Sequence, residues 1–135
     1  MKATVEWKGE GLEFVGHVPS GHDIDFSGDD NAISPMESVL AAVGACSAID
    51  VVMILKKGRQ DITDCRCELK AERAEDAPRV FTAIHAHYVV TGRDLNDKQV
   101  ARAVSLSAEK YCSVSLMLGK ALPVTHSYET QIIDS

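Results

Sequence analysis

Thiols are the side chains here whose type and setting offer chemistry. The chain has four cysteines. Cys46 lies in the almost entirely apolar run S-P-M-E-S-V-L-A-A-V-G-A-C-S-A-I-D-V-V-M-I-L, and Cys112 in A-E-K-Y-C-S-V-S-L-M-L-G. The thiolate is the nucleophilic form of cysteine. A thiol in a dry core is usually inert packing, so Cys46 reads equally as core or as a sheltered nucleophile. Cys112 falls at a predicted helix start, where unpaired N–H groups and the helix dipole push a thiol toward thiolate. If folding brings the two together, they form a reactive and a resolving thiol. Asp50, one turn after Cys46, would raise the pKa of that thiol if it lay close and ionised.

The other two cysteines suggest a metal. Cys65-Arg66-Cys67 on one predicted strand and His85-Ala86-His87 on the next each place two side chains on one face, and thiolate with imidazole is zinc chemistry. Register argues against it. Cys65, Cys67 and Leu69 are the apolar set of the first strand, and Val80, Ile84, Ala86, Tyr88 and Val90 that of the second. Matching apolar to apolar puts the histidines on the opposite face from the cysteines, so no metal site is expected. His17, His22 and His126 read as surface residues, with His22 after its Ser-Gly turn also a candidate site neighbour, and Arg93 reads equally as an anion ligand or as a partner of Asp94 or Asp97 in a loop. The glycines fit no phosphate or dinucleotide fingerprint.

These residues must be carried by a mixed set of elements. Alternation predicts strands around Ala3–Trp7, Leu12–Val18 and Ile24–Phe26, with turns at Gly9-Glu10-Gly11 and Ser20-Gly21. A long helix is predicted over Pro35–Lys57: Ser34 caps it, Glu37 completes a capping box, Lys56 and Lys57 suit its far end, and Gly58 offers a left-handed closing turn. A helix apolar nearly all round must be enclosed by protein. One small sheet cannot do that, and the small Ala41, Ala42, Gly44 and Ala45 allow another helix to approach, so a homodimer is expected. A strand hairpin over about 62–72 and 80–91 follows. Then comes a helix capped by Asn96 with Val100, Ala103, Val104, Ala108 and Tyr111 on one face, a short helix from Ser113 to Leu118, and a closing strand over 124–133. The fold class is α+β, a single domain over 1–135.

Composition narrows the function classes. At 135 residues with 45% hydrophobic and 25% charged side chains, this is an ordinary globular chain. A net charge of −6 opposes binding to a phosphate backbone, so no nucleic-acid partner is expected. The charge at Asp50 interrupts the one long apolar stretch, so no membrane span is expected. The first ten residues hold no apolar signal core, which reads as a cytoplasmic protein with free thiols.

The pattern S-P-M-E-(x8)-C, its thiol eleven residues after the proline, together with C-S-V-S-(x2)-L, resembles the OsmC/Ohr family over nearly the whole chain. T-G-R-D-L and A-E-K-Y-C-S-V-S bring it near one bacterial branch of that family. The resemblance implies an intertwined homodimer with sites at the subunit interface, and thiol-dependent reduction of organic hydroperoxides in oxidative-stress protection, without metal or organic cofactor. Carried over, Cys46 attacks the peroxide and becomes a sulfenic acid, Cys112 condenses with it to a disulfide, and an external dithiol restores both. Met36, Leu40, Val43 and Val114 would form apolar walls favouring bulky alkyl peroxides.

The family peroxidases hold the reactive thiolate with an N-terminal arginine and a glutamate directly after the helix-opening proline. Here Met36 follows Pro35, Glu37 is displaced by one, and no arginine precedes Arg59; only Lys2 and Lys8 are cationic in that region. Lysine does not reproduce a guanidinium that forks between carboxylate and thiolate. Glu37 therefore reads as a cap or a supporting acid. The alternative function is a family member that has lost catalysis and either binds a small apolar molecule or senses redox state.

Overall fold

Turn chemistry organises the N-terminal segment. Gly9, Gly11 and Gly21 take positive φ, where side chains are strained, and they separate β1 (Thr4–Trp7), β2 (Glu13–His17) and β3 (Asp23–Ser27). The three strands form an antiparallel sheet in the order β1-β2-β3, with Phe14 opposite Trp7 and Phe26. The computed structural model describes residues 1–134. It divides into two compact units, Met1–Val39 and the chain from Leu40 onward.

The long helix α1 runs over Pro35–Lys57, as the capping signals predict. The Ser34 amide donates to the Glu37 carboxylate at 2.9 Å and the Glu37 amide to Ser34 Oγ at 3.2 Å, a complete capping box. Its end differs from expectation. Arg59, not Gly58, takes the left-handed conformation, at φ 58°. A Cβ on Gly58 would stand 2.6 Å from Gln99 Oε1, so that the end of the Gln99 side chain would have to shift.

After α1 the chain builds a second sheet from β4 (Asp61–Arg73), β5 (Phe81–Arg93) and β6 (Val124–Ile132), in the order β4-β5-β6. β4 and β5 are antiparallel, whereas β5 and β6 are parallel and need a crossover between them. That crossover is α2 (Asp97–Leu106), a π-helical turn (Ser107–Tyr111) and α3 (Ser113–Leu118). The register bears out the matching of apolar faces. Cys65 opposes Val90, Cys67 opposes Tyr88 and Leu69 opposes Ala86, while His87 and His85 oppose Glu68 and Lys70. Among the described residues no cluster of His, Cys, Asp and Glu could hold a metal ion.

The core of this unit packs Val51 and Leu55 of α1 and Ala86, Tyr88 and Val90 of β5 with Leu95 and with Val100, Ala103 and Val104 of α2. α1 approaches β4 closely through Gly44, where a Cβ would meet Leu69 Cδ1 at 2.7 Å. By length and apolarity α1 could cross a membrane, yet Val43, Gly44, Ser47, Val51 and Leu55 lie buried along it, as in a core helix. The chain alone does not enclose it all round. Ala41, Ala45, Ile49 and Met53, spaced by four, are exposed, Ile49 to 60% and Met53 to 59%.

Candidate active site

The π-helical turn decides where the second thiol goes. The Cys112 amide donates to the Ser107 carbonyl, five residues back, at 2.8 Å. The extra residue relative to an α-helix re-phases the chain, as at many functional sites. The expected apolar face of α2 therefore does not run on to Tyr111, which is 52% exposed; Ser107 and Cys112 are buried instead. Cys112 caps α3, its sulfur accepting from the Ser115 amide at 3.4 Å and its S–H reaching Ser115 Oγ at 3.1 Å.

This placement brings the two thiols together. The Cys46 and Cys112 thiols, both free, lie near enough for each to alter the other's ionisation. Ser113 Oγ lies 3.8 Å from the Cys46 sulfur, and the Val114 N–H favours its thiolate. Burial works against ionising Cys46, and so does the charge of Asp50, but the Val114 N–H, the Cys112 thiol and the Ser113 hydroxyl outweigh them. The Cys46 pKa lies below that of an ordinary thiol. For Cys112 burial dominates and raises the pKa, and its Ser115 contacts do not offset it. The expectation that the helix start would acidify Cys112 is thus corrected. The start of α3 serves Cys46, because the donors of Ser113 and Val114 reach across to it while the capping thiol is buried.

Asp50 stands beside this pair and carries the expected sign on Cys46. Its carboxylate accepts from Ser107 Oγ at 3.1 Å, and the same hydroxyl reaches the Ser47 carbonyl at 3.2 Å. Ser107 ties Asp50, α1 and the Cys112 amide to one residue. Sequence reasoning missed it. The only signal was a polar residue one place before Ala108, on the side of the helix expected to be apolar.

The remaining candidates are placed as follows. Val43 is wholly buried, while Leu40 and Val114 are half-buried. Met36, in the first turn of α1, is half-buried, and Glu37 is exposed. The Glu37 carboxylate is occupied by the Ser34 amide and hydroxyl, which hold its pKa low. His17 pairs with Asp23 at 2.8 Å, which raises its pKa, and Arg93 faces Asp61 at 3.6 Å rather than Asp94 or Asp97. Cys65 and Cys67 are pushed up mainly by burial, Cys67 to about 11, which disfavours thiolate at both. The chemistry available is that of an asymmetric dithiol, with an acidified, partly exposed sulfur beside a buried, protonated one.

Comparison with known proteins gives this arrangement a context. Residues 28–127 match the family described as OsmC-like protein. The chain is 63% identical to Protein YhfA of Escherichia coli K12 over 131 residues, covering 96% of this chain and 97% of that one. A solved structure from Aquifex aeolicus, described as a hypothetical protein, is 32% identical and superposes with a TM-score of 0.88, covering 98% and 97% of the two chains. The fold is shared further, at 17% identity, TM-score 0.69 and 95% coverage of each chain, with a Legionella pneumophila structure described as an organic hydroperoxide resistance protein OsmC.

Proposed function

This chain belongs to the OsmC-like protein family, and from that premise we propose that it reduces organic hydroperoxides with Cys46 as the attacking thiol and Cys112 as the resolving one. The observation that carries the reading is the nearness of Cys46 and Cys112, each altering the other's ionisation and their pKa values displaced in opposite directions, with Ser113 Oγ beside Cys112 standing 3.8 Å from the Cys46 sulfur. The Cys46 thiolate attacks the outer peroxide oxygen, the O–O bond breaks, and the departing alkoxide takes a proton; Cys46 is left as a sulfenic acid. The Cys112 sulfur then attacks Cys46, its proton leaving with the hydroxyl as water, and a disulfide forms. An external dithiol reopens it.

The absence of an arginine ahead of Arg59 is met by neutral donors. The Val114 N–H, Cys112 S–H and Ser113 O–H supply to the Cys46 sulfur what a guanidinium would otherwise supply. The Legionella pneumophila protein that shares the fold is described as an organic hydroperoxide resistance protein, in keeping with this activity. The protein acts, on this reading, as a cytoplasmic homodimer, its exposed α1 stripe of Ala41, Ala45, Ile49 and Met53 covered by a second copy. Met36, Leu40, Val43 and Val114 remain our candidates for the substrate's apolar surroundings, with Glu37 and Asp50 in support.

The test is peroxide consumption with cumene hydroperoxide and excess dithiothreitol. Cys46→Ser abolishes it on this account; full thiol-dependent activity in that variant would end the proposal. One observation favours a second reading, non-catalytic binding of a small apolar molecule. Val5, Leu12, Phe14, Phe26, Pro35 and Val39 line a cleft of about 510 Å³ within the N-terminal unit. On that reading a lipid-like compound raises the melting temperature saturably with no turnover.

A further inference from the structure

Three groups favour the Cys46 thiolate: the Val114 N–H, the Cys112 thiol and the Ser113 hydroxyl. They do not serve a displacement equally. As a thiolate attacks a peroxide, negative charge leaves the sulfur and arrives on the oxygen that departs. A donor that can only stay with the sulfur makes thiolate available, but it stabilises the starting state and adds nothing to the step itself. A donor speeds the step when it meets the charge where that charge develops.

Ser113 alone of the three has that freedom. The Val114 N–H belongs to the backbone of α3 and cannot turn. Cys112 is wholly buried, and its S–H reaches Ser115 Oγ at 3.1 Å. Ser113 is exposed, and among the described residues its hydroxyl has no hydrogen-bond neighbour other than the Cys46 sulfur, 3.8 Å away. A serine hydroxyl rotates to suit its partner and can both donate and accept. O–H···O bonds span about 2.5–3.0 Å, so the wider gap to sulfur leaves room for a peroxide oxygen within reach of Ser113 Oγ. Cys46 is itself only partly buried, and its contact with Ser113 is open to solvent. A peroxide arriving there meets the sulfur and the hydroxyl together.

We propose that Ser113 is a catalytic residue of the peroxide step, its hydroxyl turning from the Cys46 sulfur to the departing oxygen of the hydroperoxide. The proposal rests on the peroxidase reading. The sulfur bonds to the terminal peroxide oxygen, which keeps its hydrogen and becomes the hydroxyl of the sulfenic acid. The O–O bond breaks and its electron pair goes to the oxygen that carries the alkyl group. The Ser113 O–H donates to that oxygen as the charge builds, and a proton from water completes the alcohol. The sulfur has lost two electrons and the peroxide has gained them. Val114 and Cys112 stay with the sulfur throughout.

The experiment uses reduced full-length protein at a pH above the Cys46 midpoint of every variant, so that differences in thiolate fraction vanish. Loss of the Cys46 thiol to cumene hydroperoxide is timed by rapid quench and peptide mapping in the wild type, Ser113→Ala and Ser113→Thr. Alkylation of Cys46 by iodoacetamide is timed alongside, because iodide leaves as a stable anion and asks for no such donor. We expect Ser113→Ala to lose about ten-fold or more in the peroxide rate with its alkylation unslowed, and Ser113→Thr, which restores a hydroxyl, to recover most of that loss. An alanine variant that keeps the wild-type peroxide rate, an equal fall in the peroxide and iodoacetamide rates, or a threonine variant as slow as alanine would overturn the role of Ser113. A wild type that reacts with cumene hydroperoxide no faster than free cysteine thiolate would sink the peroxidase reading itself, a result read without either variant.

Discussion

At the residue scale, the proposed function hangs on the difference between two neighbouring thiols. Donors from Val114, Cys112 and Ser113 favour the Cys46 thiolate, and burial holds Cys112 protonated. Because the Cys46 pKa is lowered and that of Cys112 raised, thiolate develops first on Cys46 as pH rises. Iodoacetamide labelling with peptide mapping should therefore modify Cys46 with a midpoint below that of an ordinary thiol, ahead of the other three cysteines. Asp50 opposes this ionisation, so Asp50→Asn should move the midpoint further down, whereas Ser113→Ala should move it up. A midpoint unmoved by Asp50→Asn would remove Asp50 from the electrostatics of the site.

At the scale of elements, the π-helical turn links sequence to geometry. Deleting Glu109, an exposed residue inside that turn, removes the extra residue and restores an α-helical phase. Since each helical residue turns about 100°, the deletion should swing Cys112 off Cys46. Diamide should then fail to form the Cys46–Cys112 disulfide while the far-ultraviolet circular dichroism stays that of the wild type. A disulfide formed as readily as before would show that the turn does not set the pairing. This is also where the sequence was least legible. The ends of α1 at Pro35 and Lys57 follow from capping chemistry at Ser34 and Glu37 and from the terminal lysines, and the β4–β5 register follows from the alternation around Cys65 and Tyr88. Those are local signals. The π turn has none, because Val100, Ala103, Val104, Ala108 and Tyr111 fit an ordinary helix, while Ser107, at its start, bonds to α1 at Asp50 and the Ser47 carbonyl. The pairing of Cys46 with Cys112 came from resemblance to a family rather than from periodicity, and the assignment of the acidified thiol changed once the α3 donors had a position.

On the scale of the whole molecule, the proposed unit is a homodimer. The α1 stripe of Ala41, Ala45, Ile49 and Met53 is apolar, small at one end and exposed in the single chain. A helix face of this kind gains by being covered, at roughly 25 cal/mol per Å² of apolar surface removed from water. Sedimentation equilibrium should give twice the single-chain mass of 14.6 kDa, and Ile49→Asp should return the protein to one chain at micromolar concentration. A variant that stays dimeric would place the interface elsewhere. The central claim, an asymmetric thiol pair that reduces hydroperoxides, is tested most directly by intact mass and peptide mapping of reduced protein after one equivalent of cumene hydroperoxide, with hydrogen peroxide in parallel. The account predicts a Cys46–Cys112 disulfide that forms quickly and faster with the organic peroxide. Thiols that stay reduced, or oxidation falling first on Cys65 or Cys67, would contradict it.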